Sequence, residues 1–343
     1  MANNYDAWKV SVTDFEEQKS DYDKLLFFLR FGILAPSSHN SQPWEFQIDV
    51  EKLSINVFKS KVRVLPVGDP NDDLSYVSIG CTVENIVVTA DYFGYTVSVV
   101  YEENPQIELC AILQFTQDHS KSIDSSHLIH QIKRRIVNRG KYEQRNLPDE
   151  FLEKIQKFST TDHKVVLIQD SQTIADIGKI ANYASIQLMS SYLFRRELST
   201  HVKNNFTESY VGIPAFGMQI PGILSLIVPN LIKLFNMDKF SEKQNTALFT
   251  KYTPEIIVLT SKNNTKKDKL IIGRMYQNIA LNAISQDIKT SPWGSVSVYS
   301  ESNKELQKVL NTEFYPEFLF RIGYNNKDPH HSPRLLVNSV IKK

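Results

Sequence analysis

The chain has 343 residues, 39 Lys and Arg against 38 Asp and Glu, a net charge of +1, and 41% hydrophobic residues. That length allows about two domains with a sizeable core, and the balanced charge leaves neither a nucleic-acid footprint nor an acidic tail. The two cysteines, Cys81 and Cys110, stand 29 positions apart, form no disulfide framework or CxxC pair, and read as small buried apolar residues.

The first 24 residues are polar and rather acidic, and the apolar run from Leu25 to Pro36 is interrupted by Arg30. Neither a signal peptide nor a membrane span fits, so the expected location is the cytoplasm. From Asp21, the positions Leu25, Leu26, Phe28, Leu29, Ile33 and Leu34 have helical spacing, which Pro36 stops. The loop 36–42 then leads to two alternating stretches, Trp44 to Ile48 and Ile55 to Val57, read as strands. A Pro/Gly/Asp-rich connection, Pro66–Asp73, precedes a helix from about Leu74 to Tyr92 that ends at Gly94. Strands are expected at Tyr95–Tyr101 and Ile107–Phe115, and the polar Thr116–Ser126 is the natural linker.

Beyond it, His127–Tyr142 reads as a basic amphipathic helix broken at Gly140, Leu147–Phe158 as a helix and Lys164–Ile168 as a strand. Ser171 to about Val202 suits one or two helices, and 203–252 a mobile segment. Prolines 214, 221 and 229 keep its most apolar part, Gly212–Phe235, from being one spanning helix. Glu255–Thr260 (strand), Leu270–Asp287 (helix), Ser295–Tyr299 (strand), Ser302–Leu310 (helix) and Phe318–Ile322 (strand) complete the pattern. Alternating helices and strands imply an α/β or α+β architecture, a helical layer on a sheet.

Several common sites are excluded by spacing. No two of the twelve glycines are separated by one residue, so GxGxxG is absent, and Ile223 follows Gly222 where a phosphate loop needs Lys. HExxH and GxSxG are also missing, and His127 with His130 lacks a third ligand nearby, so no metal site is expected. What remains is the loop Ala35–Trp44, where Pro36 and Pro43 fix a backbone crowded with Ser37, Ser38, His39, Asn40, Ser41 and Gln42. Such a loop suits a polar planar ligand, or is simply a well-bonded turn. The run Lys133 to Tyr142 places Arg135 and Arg139 four apart, on one face if the helix persists. It suits an anion, a solvated helix end or an RNA contact.

The stretch APSSHNSQPWEF resembles the PSxxNxQPW signature of the nitroreductase family of FMN flavoproteins. The Arg-rich 133–142, Gly273-Arg274, Ser291-Pro292-Trp293-Gly294, Arg321 to Tyr324 and Ser332-Pro333-Arg334 are similar to further motifs of that family, covering most of residues 25–340. Because the loop precedes the Arg-rich motif, the order resembles the long, fused, Acg-like branch, in which two similar halves of one chain imitate a homodimer. The resemblance implies an α+β nitroreductase-like fold with halves 1–120 and 121–343, as a monomer with an internal pseudo-dimer or a homodimer. FMN would lie between the halves, contacted by Pro36, Ser37, Ser38, Asn40, Gln42, the backbone of Pro292, Trp293 and Gly294, and the phosphate-binding Arg135, Arg139 and Arg334. Val137 and Trp293 depart from the family pattern, standing where a small hydroxyl residue and, in some members, an acidic residue are usual.

The activity implied is ping-pong hydride transfer from NAD(P)H through flavin to a nitroaromatic or quinone, with His39 as candidate proton donor and no nucleic acid or membrane partner. Residues 205–252, rich in Ile, Leu, Gly and Pro, suit a lid over the ring, a buried core or, less simply, an exposed patch. A covering lid favours the alternative function, flavin sequestration without turnover.

Overall fold

In the computed structural model, residues 3–118, 128–218, 220–236 and 238–342 are described. The expected linker falls largely on 119–127, outside the described residues, and with it the 120/121 boundary between halves.

Helix α1 (Asp21–Gly32) starts at a capping box in which Ser20 and Asp23 satisfy each other's backbone N–H, and it buries Leu25, Phe27, Phe28, Leu29 and Phe31. Strands β1 (Trp44–Asp49) and β2 (Ser54–Lys59) form a hairpin. The long helix α2 (Asp73–Tyr92) follows; Asp72 makes no side-chain cap, and the carboxylate of Asp69 accepts from the N–H groups of Leu74 (3.0 Å) and Ser75 (2.8 Å) instead. Strands β3 (Tyr95–Tyr101) and β4 (Leu109–Gln117) complete an antiparallel sheet of order β1-β2-β4-β3.

The later part has the short helix α3 (Ile129–Ile132), α4 (Asp149–Gln156), β5 (His163–Ile168), α5 (Ser171–Ser190) and α6 (Tyr192–His201). Two-residue strands β6 (Val202–Lys203) and β7 (Ile213–Pro214) pair in parallel, and α7 (Val228–Leu234) and α8 (Asp238–Lys251) follow. Then come β8 (Glu255–Ser261), α9 (Lys266–Ser285), β9 (Ile288–Pro292), α10 (Ser295–Val298), α11 (Ser300–Val309) and β10 (Tyr315–Tyr324). The second antiparallel sheet has the order β5-β8-β10-β9. Both sheets are therefore wound alike: an edge strand, an inner strand, a long helix, the opposite edge, and a last strand returning between inner strand and edge.

The two long helices, α2 and α9, cross at Gly80 and Gly273. A Cβ on Gly80 would strike the carbonyl of Leu270, and one on Gly273 the carbonyl of Val77, so only glycine permits this approach. The crossing is tied by polar contacts: Gln277 Nε2 donates to Asn85 Oδ1 (2.6 Å), and Glu84 accepts from Arg274 Nε (2.8 Å) and Asn278 Nδ2 (2.7 Å).

Two expectations are corrected. The basic helix 127–142 exists only as α3; after a turn at 133–134 the chain leaves the helix, Val137 bridges to Thr290 and Asn138 N–H donates to Thr290 O (3.1 Å), because the free edge of β9 offers the backbone partners. Arg135 and Arg139 are thus not on a helix face. Residues 295–298 are helical rather than extended, the strand being β9 just before them. The segment 203–252, expected as mobile, carries α7 and α8.

Candidate functional site

The loop after α1 has a strained backbone. His39 (φ 49°), Asn40 (φ 52°) and Gln42 (φ 53°) are all left-handed without being glycine. Surrounding bonds hold them there. Gln42 N–H donates to Ser37 Oγ (2.9 Å) and Ser38 N–H to Ser78 Oγ of α2 (3.2 Å). Asn40 Nδ2 donates to the carbonyls of Gly212 and Pro333 (both 3.0 Å), and Gln42 Nε2 to Tyr210 O (2.7 Å), while Gln42 Oε1 accepts from Leu335 N–H (2.9 Å). The loop is thereby fixed to residues 210–212 and to the C-terminal segment.

A cavity of about 230 Å³ lies against this loop, walled by Leu74, Val77 and Cys81 of α2, Tyr276 of α9, Pro292, Gly294 and Ser295, and Leu188 and Phe194 of α5 and α6. Pro36, Ser37, Val137 and Arg139 border both it and a second cavity of about 70 Å³, which reaches Asn40, Arg135, His330, His331 and Arg334. Among the described residues no carboxylate lines the smaller space.

Its electrostatics are one-sided. Arg135 is 3% exposed; its Nη2 makes one long bond to Leu34 O (3.4 Å), and Nε and Nη1 have no partner. Arg334, 4% exposed, donates from Nη1 to Asn40 Oδ1 (2.7 Å) and Pro333 O (2.9 Å) and from Nη2 to Ala35 O (3.1 Å), with Nε unpartnered. Arg139 is exposed, borders both cavities and gives Nη1 to Gly217 O (3.2 Å). Among the described residues none of the three pairs with a carboxylate. Burial lowers the pKa of all three, that of Arg334 to about 9 with help from the Arg135 charge. Burial, then Arg135 and Arg334, lower His331 to about 4; burial, then His201 and Arg139, do the same to His39. Both imidazoles are neutral near pH 7 in the free protein, so His39, whose Nδ1 is buried without a partner, offers a hydrogen bond rather than an imidazolium proton.

The structure brings Pro36, Ser37, Ser38, His39, Asn40, Arg135, Arg139, Pro292, Gly294 and Arg334 to these two joined spaces. Gln42 and Trp293 line neither: Gln42 is a fully buried brace, and Trp293 packs edge-on against Phe249 (4.9 Å between ring centres). The backbone donors expected from 292–294 reduce to Gly294, because Pro292 has no N–H and that of Trp293 is given to Leu319 O (2.9 Å). Asn40's amide protons are likewise spent inside the protein. Among the described residues, none of 205–252 lines the ring-sized cavity, whose walls include Leu188 and Phe194 instead, and Ile223 (80% exposed), Leu224, Leu226 and Ile227 are exposed. Residues missed in the sequence include Tyr276, Ser78 and the pair His330-His331; the paired histidines just before Ser332-Pro333-Arg334 were the one visible signal.

No family model and no curated protein matches the sequence. Among solved structures, a candidate nitroreductase from Anabaena variabilis is similar over 92% of this chain and 92% of its own, with a TM-score of 0.50 and 8% identity. The fold is that of the nitroreductases. Two other structures of nitroreductase fold are similar over less of this chain: NfnB of Mycobacterium smegmatis, an FMN-dependent nitroreductase in complex with NADPH (TM-score 0.41, 14% identity, 62% of this chain, 96% of that one), and an iodotyrosine deiodinase bound to FMN and 3-iodo-L-tyrosine (TM-score 0.37, 15% identity, 61% and 94%). No helix among the described residues is long and apolar enough to cross a membrane.

Proposed function

We propose that the chain is an FMN-dependent oxidoreductase of nitroreductase type, the flavin lying in the seam between α2 and the β9–β10 side of the molecule. The observation that carries this reading is the cluster of Arg135, Arg139 and Arg334 without counter-ions beside a ring-sized cavity. The buried guanidinium donors of Arg135 and Arg334 that are left unpaired cost free energy that an anionic ligand recovers. The FMN phosphate fits them by charge and by the orphaned Nε and Nη1 of Arg135. Ser37 and Ser38 supply hydroxyls at the loop, Gly294 a backbone donor at the opposite wall, and Leu74, Val77 and Phe194 an apolar surround that keeps water from the ring. The flavin, when bound, supplies hydride transfer from NAD(P)H to a small electrophile such as a nitroaromatic or quinone. His39, neutral and at the cavity edge, hydrogen-bonds the acceptor. The common winding of the two sheets supports the view that two halves of one chain stand in for two subunits, so that a monomer suffices for the site.

The test is spectroscopic. Purified protein is expected to carry, or take up, flavin that bleaches anaerobically with NADH or NADPH and recolours with a quinone. Flavin reducible by dithionite but not by nicotinamide indicates a flavin holder instead, and a chain that binds no flavin refutes the reading.

A further inference from the structure

Next to the arginine pocket lies an open cleft of about 700 Å³ whose walls include Tyr5, Trp8, Phe206, Phe216, His330 and His331. His330 and His331 border both this cleft and the pocket of Arg135 and Arg334, whereas the cleft shares no residue with the ring-sized cavity. The arginine pocket therefore adjoins both the ring-sized cavity and the aromatic cleft. The cleft's chemistry differs from its neighbour's, for Glu208 lines it and neither Lys nor Arg does. It is no second anion site. Trp8 is already occupied, stacked on His331 (3.9 Å between centres) with the Arg334 guanidinium 5.0 Å from its ring and Nε1 donating to Ser332 O (3.0 Å). Phe206, 66% exposed, is an unused aromatic face, and Phe216 is held edge-on to His330 (5.6 Å).

A flat, uncharged, π-rich group joined to a phosphate meets every one of these features, and an exocyclic amine on it would find an acceptor in Glu208. We propose that this cleft seats the adenine base of an adenosine phosphate whose phosphate end reaches the His330–His331 edge of the arginine pocket. The inference rests on the arginine pocket being the anion seat of the proposed flavin site. Two sources supply the same chemistry: the adenosine half of FAD, or a separate adenine nucleotide beside bound FMN.

The experiment compares FAD, FMN and ADP by fluorescence and calorimetric titration, with wild-type protein and with Phe206→Ala. The exposure of Phe206 means that its truncation leaves folding intact. Base stacking on one aromatic side chain corresponds to about a tenfold change in affinity. If the base belongs to the flavin, FAD binds at least about tenfold tighter than FMN, and Phe206→Ala removes that margin while leaving FMN affinity unchanged. If it is separate, ADP binds FMN-loaded protein and loses about tenfold in the variant. FAD no tighter than FMN together with no ADP binding, or equal losses for FMN and FAD in Phe206→Ala, overturns the inference and leaves the flavin site standing. Should neither flavin bind, the flavin reading falls, and ADP binding to the flavin-free chain, weakened or not by Phe206→Ala, still decides this one.

Discussion

Arg135→Met separates a ligand-binding arginine from a structural one, because the two roles predict opposite signs for stability. In the free protein the Arg135 guanidinium is almost fully buried and makes one 3.4 Å bond, with Nε and Nη1 unpartnered. Exchanging a buried, poorly compensated charge for an apolar side chain of similar length is worth about 1–3 kcal/mol in favour of the folded state, which raises the melting temperature of the flavin-free protein by a few degrees. Flavin binding moves the other way. Two charge-assisted hydrogen bonds at about 1.5–3 kcal/mol each are lost with the anion bound, so affinity for FMN falls by about a hundredfold or more. Thermal unfolding of the flavin-free chain and fluorescence titration with FMN measure the two arms on one preparation. A flavin-free variant less stable than wild type, or FMN affinity within about threefold of wild type, would refute the argument that this arginine is kept charged for a ligand.

Gly273→Ala is expected to cost about 3 kcal/mol or to prevent folding, since the new Cβ strikes the Val77 carbonyl in a backbone-to-backbone crossing, whereas Gly222→Ala, with nothing within 4 Å, stays within about 0.5 kcal/mol; denaturant unfolding compares them. Ile223→Asn, at an outward-facing position, should leave FMN affinity within about twofold by titration, where a ring-covering lid would lose far more. His331→Gln tests the imidazole beside the arginines. The folded pKa of His331 is lowered from 6.5 to about 4, so the wild-type contribution is full above about pH 6.5 and is lost as pH falls toward 4. The variant lacks that loss, and its stability relative to wild type should rise by about 1.4 kcal/mol per pH unit on acidification through the window; a flat difference sinks the assignment.

What the sequence made legible was local. Period and stop signals located α1, α2, α9 and most strands, since a helix ending at Pro36 or Gly94 is written in adjacent residues. The loop 36–42 and the arginines were visible as residue types, and the fold brings them to one seam. What it concealed depends on partners distant in the chain. Residues 133–142 have helical periodicity, yet the free edge of β9 claims their backbone through Thr290. Asn40 and Gln42 looked like ligand contacts because their amides are polar, and only the positions of Gly212, Tyr210, Pro333 and Leu335 show those amides already committed. The apolar residues 223–227 read as lid or core, since hydrophobicity alone does not say which way a side chain points.

The common winding of the sheets explains why the site is asymmetric although its frame is nearly repeated. In the first sheet the edge and inner strands are joined by residues 50–53, a tight turn; in the second, the equivalent strands β5 and β8 are separated by residues 169–254. That insertion supplies Leu188 and Phe194 over the larger cavity, Ile213 and Gly217 at the smaller one, and Phe206 in the outer cleft. It also holds the loop 36–42 through Tyr210 and Gly212. An equivalent site on the other side of the α2–α9 crossing would need these covering residues from the 50–53 turn, which is too short to reach across anything. The length of a hairpin connection thus denies the first half the covering residues that the second half supplies, and a titration giving two flavins per chain would contradict this account.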